Sequence, residues 1–282
     1  MSKDLFKKPP LPFVGNKTKY VKYINKSLIP YLKNDIVNDN TLFVDVFGGS
    51  GIISHVLAFN FPNNKIIYND YDNYTQYLRR DNLIKLNKIL HYLRNIFDNI
   101  VDDKITSEQN EREHIFDKIK HHINKFFPNW ENTYIKHWLD AQISFHGLGE
   151  NNSILYNRVK KNDYDINIYN KYILPNMKII HKDYNIVFKQ FDSLNNVIFI
   201  LDPPYIDTYN MAYKGKFAFS DTMLVLNFAF NHKSIYFEST NFKIMKYIKE
   251  QKEKKKFKYK LLQKSKFQIN SSNTDYMIIF NL

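Results

Sequence analysis

The residues of this 282-residue chain best suited to chemistry are Asp202-Pro203-Pro204-Tyr205, which follow directly on the apolar run Val197-Ile198-Phe199-Ile200-Leu201. Two prolines fix φ and carry no N–H, so the carbonyls beside them are free to face the amino group of a ligand. An acid and an aromatic on either side of them make a rigid slot for a flat, amine-bearing ring. The exocyclic amine of a nucleobase is a poor nucleophile, because its lone pair is delocalised into the ring. Hydrogen bonds from that amine to Asp202 and to the carbonyl between Pro203 and Pro204 would draw the nitrogen toward tetrahedral geometry and free the lone pair for an electrophilic methyl. Tyr205 would stack on the base. A base inside a duplex reaches such a slot only by flipping out of the stack. The blander account is a strand end stopped by two prolines, with a packed tyrosine.

A second constellation lies early in the chain. Asp45-Val46-Phe47-Gly48-Gly49-Ser50-Gly51 follows an apolar strand pattern and precedes a helix pattern, where glycines let backbone approach a ligand and the helix start offers unpaired N–H groups. No Gly-Lys-Ser/Thr follows, so it is not a phosphate loop, and it is not a complete G-x-G-x-x-G fingerprint. The turn suits a zwitterionic amino-acid moiety. Asp70, some twenty residues beyond, stands where a nucleoside-binding α/β unit puts the acid that accepts the ribose hydroxyls. Together these describe a site for S-adenosylmethionine, built from Asp45, Phe47, Gly48, Gly49, Gly51 and Asp70. Pro12-Phe13-Val14-Gly15-Asn16-Lys17 adds an aromatic, a glycine and a cation: folded over the turn, Phe13 would pack on the cofactor, with Gly15 beside it and Lys17 paired to its carboxylate. Asp183 is a candidate acceptor for the adenine amine, or a solvated turn aspartate. Phe219-Ser220-Asp221 reads as a loop at the pocket edge or as a helix cap before the apolar run Met223 to Phe228.

The elements that would hold these residues read as an α/β domain. Strand-length apolar runs occur at 41–47, 65–68, 178–181, 197–201, 234–237 and 275–280. Between 74 and about 180 the alternation stops, and Tyr77, Leu78, Ile84, Leu86, Leu90 and Leu93 fall at helical spacing. The expected organisation is a catalytic domain of residues 1–73 and 177–282, carrying a mostly helical insertion at 74–176. In the insertion the polar, turn-rich stretch Phe145 to Ser153 reads as an exposed loop. Asn151, Asn152, Asn157 and Arg158 are side chains able to read base edges, arginine for guanine and asparagine for adenine.

Forty-one basic against 28 acidic residues give a net charge of +13, so an anionic partner is expected, nucleic acid before membrane surface. Part of that lysine content has the look of a nucleotide-biased genome. Cysteine is absent, which removes disulfides and thiolate metal sites, and no His-Glu-x-x-His occurs. No metal is expected. No apolar run is long enough to span a membrane and the start Met1-Ser2-Lys3-Asp4 lacks a signal peptide's apolar stretch, so a cytoplasmic protein is expected. The run Lys252 to Lys260 alternates cations with aromatics, which suits phosphate contact or, equally, the protection of an edge strand.

In linear order, Phe13-Val14-Gly15-Asn16-Lys17, Phe43 to Gly51, Asn69-Asp70, Phe145-His146-Gly147, Asp202-Pro203-Pro204-Tyr205 and the closing Asn273 to Asn281 resemble the Dam-type DNA adenine-N6 methyltransferases, especially their short phage-like members. The resemblance implies a Rossmann-like, seven-stranded sheet with helices on both sides and S-adenosylmethionine as cofactor, lined by Phe13, Lys17, Asp70 and Asp202. It implies double-stranded DNA as substrate, methylated on adenine N6, with N4-cytosine methylation or a non-catalytic DNA-binding protein as the alternatives. A monomer or weak dimer, with a cognate restriction endonuclease as a partner the family admits and no membrane, completes the expectation. Two positions depart from the family pattern. Tyr276 stands where members carry glutamate, and the segment after Phe145-His146-Gly147 lacks their Gly/Phe/Pro-rich hairpin, so the family's usual GATC target does not follow.

Overall fold

The structure, a computed structural model, describes residues 5–13, 15–34, 36–97, 109–143, 158–204, 217–238, 242–255, 257–266 and 274–282. The chain divides into two compact units: Met1–Lys8, Asn16–Asp72 and Ile173–Leu282 form the first, Pro9–Gly15 and Asn73–Tyr172 the second.

The first unit is built on seven strands, β1 (Leu42–Asp45), β2 (Ile66–Asn69), β3 (Met177–Ile180), β4 (Val197–Leu201), β5 (Ser234–Glu238), β6 (Tyr259–Lys266) and β7 (Thr274–Phe280). They form one sheet in the order β3-β2-β1-β4-β5-β7-β6. The pairs from β3 through β5 are parallel, while β7 runs antiparallel to both β5 and β6. Every residue of β2, β4 and β5 is buried, the condition of strands covered on both faces, and this is why they read as unbroken apolar runs. One face, with Val44, Phe199, Leu201, Tyr236 and Phe280, shares a core with three helices. These are α9 (Tyr184–Phe191), α10 (Phe219–Asn231) and α11 (Phe242–Lys255), which contribute Val187, Phe188, Val225, Leu226, Ile244 and Ile248. Residues alternating with that set meet other partners: Phe237 takes the edge of Tyr20 from α1 (Thr18–Tyr23), and Phe43 meets Phe61 just past α3 (Ile52–Asn60). A π-helical turn, Ile24–Leu28, joins α1 to α2 (Ile29–Lys33).

The chain leaves β1 toward β2 and β3, then returns to β4 on the other side of β1. The strand order therefore reverses between β1 and β4, and in such sheets ligands bind outside the carboxyl ends of the strands at that reversal. Asp45 ends β1 and Asp202 follows β4.

The second unit is helical: α4 (Tyr74–Tyr77), α5 (Arg80–Phe97), α6 (Gln109–Asn124), α7 (Tyr134–Ile143) and α8 (Ile168–Tyr172). Leu83, Leu86, Ile89, Leu90, Leu93 and Phe97 make the buried stripe of α5, whereas Ile84, expected in that stripe, is exposed. Trp138 donates its indole N–H to the Tyr164 hydroxyl at 2.9 Å inside this core.

Candidate active site

All geometry in this section except that of Phe13, Gly15 and Arg158 belongs to the sheet unit. The Lys17 ammonium lies 2.7 Å from Asp202 Oδ1, with side chains only 9% and 13% exposed. An ion pair this buried leaves a costly uncompensated charge if either partner is removed. It also joins the segment before α1 to the residue after β4. The expected partner of Lys17 was a cofactor carboxylate; among the described residues its ammonium meets Asp202.

Asp45 is 1% exposed. Its Oδ2 accepts a hydrogen bond from the Ser54 hydroxyl at 2.5 Å, while Oδ1 has no hydrogen-bond partner among the described residues. Burial pushes this carboxyl up to about 7, Ser54 pulls against that, and the nearby charge of Asp202 adds to it. A buried acid with one idle oxygen accommodates a small cation.

The glycine turn is shaped by Tyr68 of β2. A Cβ on Gly48 would lie 2.3 Å from the Tyr68 ring and one on Gly51 would lie 2.9 Å from it, and Gly51 has φ +76°. The Tyr68 hydroxyl donates to the Gly49 carbonyl at 2.6 Å. Two of the glycines expected at the ligand thus make room for an aromatic that pins the turn, and the ligand-facing role falls to the turn they shape. Gly51 then starts α3, in which Ile52 to Ala58 are all buried, Ser54 among them.

At the end of β2, Asp70 is fully buried, with its N–H donating to the Ile180 carbonyl and its own carbonyl 2.7 Å from His181 Nδ1. Its neighbour Asn69 ties three strand ends together: its amide donates to the carbonyls of Val46 and Lys182 and accepts from the Lys182 N–H. Phe47 is half-buried against Tyr184 and Phe217, at ring distances of 5.4 and 6.0 Å. The Tyr184 hydroxyl donates to Asp221 at 2.7 Å, and burial, then that carboxylate, pushes the phenol up to about 12.

Two candidates take structural roles. Asp183, proposed for an adenine amine, is the N-cap of α9, with Oδ1 accepting the Asn185 N–H at 2.9 Å. Phe219-Ser220-Asp221 is the first turn of α10, not a loop, and Asp221 accepts the Ala218 N–H at 2.7 Å. Phe13 belongs to the helical unit, where it meets the edge of Tyr74 at 5.5 Å, and Tyr74 in turn bonds both the N–H and the carbonyl of Leu11. Gly15 has φ +73°. Arg158, also in that unit, donates its N–H to the Gln142 carbonyl. Pro203 is buried and Pro204 half-buried. Tyr205, Asn151, Asn152, Asn157 and Phe145-His146-Gly147 lie outside the described residues.

Sequence reasoning missed Ser54, the packing of Tyr68 on the glycine turn, the bonds Asn69 makes, and the buried pair in β5 where the Tyr236 hydroxyl donates to Glu238 at 2.8 Å. Each is a polar group inside an apolar run. Tyr276, the departure from the family pattern, pairs in register with Glu238. Among the described residues no helix is long and apolar enough to cross a membrane, and no cluster of metal-ligating side chains occurs.

The strand order, with β7 antiparallel between β5 and β6, is the seven-stranded Rossmann-like sheet that the sequence resemblance implied. S-adenosylmethionine, the cofactor the resemblance implies, would meet Asp45 Oδ1 with its α-ammonium, Lys17 with its carboxylate and Asp70 with its ribose. No protein-family model matches the chain. A Haemophilus influenzae protein described as "Putative methyltransferase" is 26% identical over 260 residues, 90% of this chain and 83% of that protein. Two structures of the rRNA methyltransferase AviRa from Streptomyces viridochromogenes, each 10% identical, cover 98% of this chain and 88% of their own, with TM-scores of 0.36 and 0.37. Superpositions that loose bear on neither mechanism nor substrate.

Proposed function

We propose that the chain transfers a methyl group from S-adenosylmethionine to the N6 amine of an adenine flipped out of duplex DNA. The observation that carries this reading is the Lys17–Asp202 ion pair beside Asp45, where the strand order reverses, because it gathers the early and late motifs at one rim of the sheet. When bound, the cofactor supplies a methyl on a sulfonium, an electrophile that needs no metal. Lys17 and Asp45 grip the charged ends of its amino-acid moiety, and Asp70 holds the ribose. Asp202 accepts one hydrogen bond from the adenine amine and the Pro203 carbonyl accepts the other, which localises the nitrogen lone pair toward the methyl. With that cofactor bound, the polarised nitrogen would take the methyl, the C–S electron pair staying with sulfur and the surplus amine proton passing to water. Tyr205 is the stacking surface for the base, offsetting part of the stacking lost on flipping. Fixing the two reactants in line accounts for much of the rate gain.

The motif order shared with Dam-type enzymes supports adenine in DNA as the acceptor. The test is an Asp202→Ala variant assayed for labelled methyl transfer to duplex DNA, followed by identification of the modified nucleoside. Loss of transfer with DNA binding kept is expected. Retained transfer, or N4-methylcytosine as the product, would end the proposal.

A further inference from the structure

Charge is sorted by sign within the helical unit. Residues 82–97 and 118–130 hold six cations, Lys85, Lys88, Arg94, Lys118, Lys120 and Lys125, and no acid, whereas residues 98–117 between them hold seven acids against Lys104 and Arg112. A lysine-biased composition raises the charge everywhere and does not sort it, so the sorting needs its own cause. Arg94 is paired with Asp163 at 2.9 Å and Lys120 stands 3.9 Å from Glu131. The remaining four cations make no ion pair among the described residues.

Contacts between α5 and α6 put these four on one surface. Lys85 lies over the Phe127 ring at 5.5 Å, Lys88 over Phe126 at 5.9 Å, and Tyr92 stacks on His122 at 3.8 Å with the planes 8° apart. Positions that rise along α5 meet positions that fall along α6, so the two helices run antiparallel, and residues 85, 88 and 92 share one side of α5. On α6, Lys118, His121 and His122 recur at i, i+3 and i+4, and Lys125 follows at i+7 with its N–H still bonded to the His122 carbonyl. His122 joins the two stripes: it stacks on Tyr92 of the first and has Lys125 and His121 of the second beside it, whose charges add to burial in pushing its pKa down. Lys88, Lys118, His121 and Lys125 are exposed. An ordinary solvated helix face sets acids three or four residues from its lysines. Lys88, Lys118 and Lys125 have no acid at either spacing in either direction; Lys85 has Asp81, with which it makes no ion pair among the described residues.

We infer that this face of α5 and α6, with Lys88, Lys118 and Lys125 at its surface, is a docking site for the phosphate backbone of duplex DNA. Each stripe advances seven residues, about 10 Å. A duplex presents about six phosphate charges over that length, enough to meet every lysine of the face. The rings beneath Lys85 and Lys88 steady two of the ammoniums before any ligand arrives. The inference rests on the DNA reading above for its choice of polyanion, but it concerns binding and not chemistry.

The experiment compares the full chain with a Lys88→Gln/Lys118→Gln/Lys125→Gln variant and with a control, Lys249→Gln/Lys252→Gln/Lys254→Gln, that removes the same charge from exposed positions of α11. Anisotropy titrations of a fluorescent DNA duplex of about three helical turns, over a salt series, give the slope of log K against log salt. Loss of three phosphate contacts lowers that slope by about 2.7, so the fall in affinity between about 50 and 200 mM salt becomes roughly 40-fold smaller than in the parent. A reduction of about 2 or more that exceeds the control's by at least about 1 supports the inference. Any other result overturns it, as does tighter binding of an RNA duplex of equal length. Should thermal unfolding show that the triple variant is damaged, Lys118→Gln/Lys125→Gln reads the same slope, with a reduction of about 1.8 expected and one below about 1 overturning the inference. Absence of methylated adenine would sink the proposed function while leaving the slope difference intact, so the two failures are separable.

Discussion

Cofactor binding is expected to expel a proton from Asp45. Burial holds this carboxyl near 7, and its unpartnered Oδ1 is the acceptor assigned to the ligand's α-ammonium. Only the ionised form attracts that cation well, so the apparent Kd is the intrinsic one divided by the ionised fraction. With a titration near 7, that fraction is about 0.1 at pH 6, 0.5 at pH 7 and 0.9 at pH 8, so Kd tightens about tenfold from pH 6 to 8. The charged groups facing Asp45 do not reverse the sign: Asp202 is held by Lys17 at 2.7 Å, and Ser54 is neutral. Calorimetry with S-adenosylhomocysteine in two buffers of different ionisation enthalpy reads both the affinity and the released proton, about half a proton at pH 7. Asp45→Asn should bind weakly and with a flat pH profile. A flat profile in the parent, or the same slope surviving in Asp45→Asn, would refute the reasoning.

The same carboxyl gives a stability prediction. Its folded value, about 7, lies above its unfolded value, 3.8, so the folded state holds the proton more tightly, and stability falls as pH rises between those values. The loss amounts to at most about 4 kcal/mol; in urea titrations Asp45→Asn should gain on the parent steadily from about pH 4 to pH 7, and a constant difference would contradict this. Gly48→Ala places a methyl 2.3 Å from the buried Tyr68 ring, which its hydroxyl bond to Gly49 holds in place. Overpacking of this kind costs about 1–3 kcal/mol, read as a lower unfolding midpoint together with weaker cofactor binding. Tyr68→Leu should recover part of it, and additive effects of the two changes would show that the ring does not set the turn.

β2, β4 and β5 were legible because burial on both faces turns them into continuous apolar runs, as in Val197 to Leu201, and β1, β3 and the closing strand are short apolar runs of strand length. β6 was half-seen, since Lys252 to Lys260 reads as charge, and periodicity does not separate the last turn of α11 from an edge strand. Asp45, Asp70 and Asp202 drew attention in the sequence because each stands directly after or at the end of such a run. The Lys17–Asp202 bond did not, because sequence order says which motifs occur and not which atoms meet. Asp183 shows an ambiguity that sequence does not resolve: a strand-end acid followed by a helix has the same signature whether it meets a ligand or caps α9, and its Oδ1 caps α9. The partners of Ser54, Tyr68 and Asn69 stayed hidden because a lone polar residue in an apolar run announces burial without naming its partner.

The proposal stands or falls on whether the rim holding Asp202 methylates adenine in duplex DNA. Long-read sequencing of DNA from cells expressing the chain, beside cells expressing Asp202→Ala, reports the modified base and its sequence context together. The account predicts N6-methyladenine at a fixed motif in the first sample and none in the second. Unmodified adenine in both, or a mark that survives loss of the Asp202 carboxylate, would contradict it.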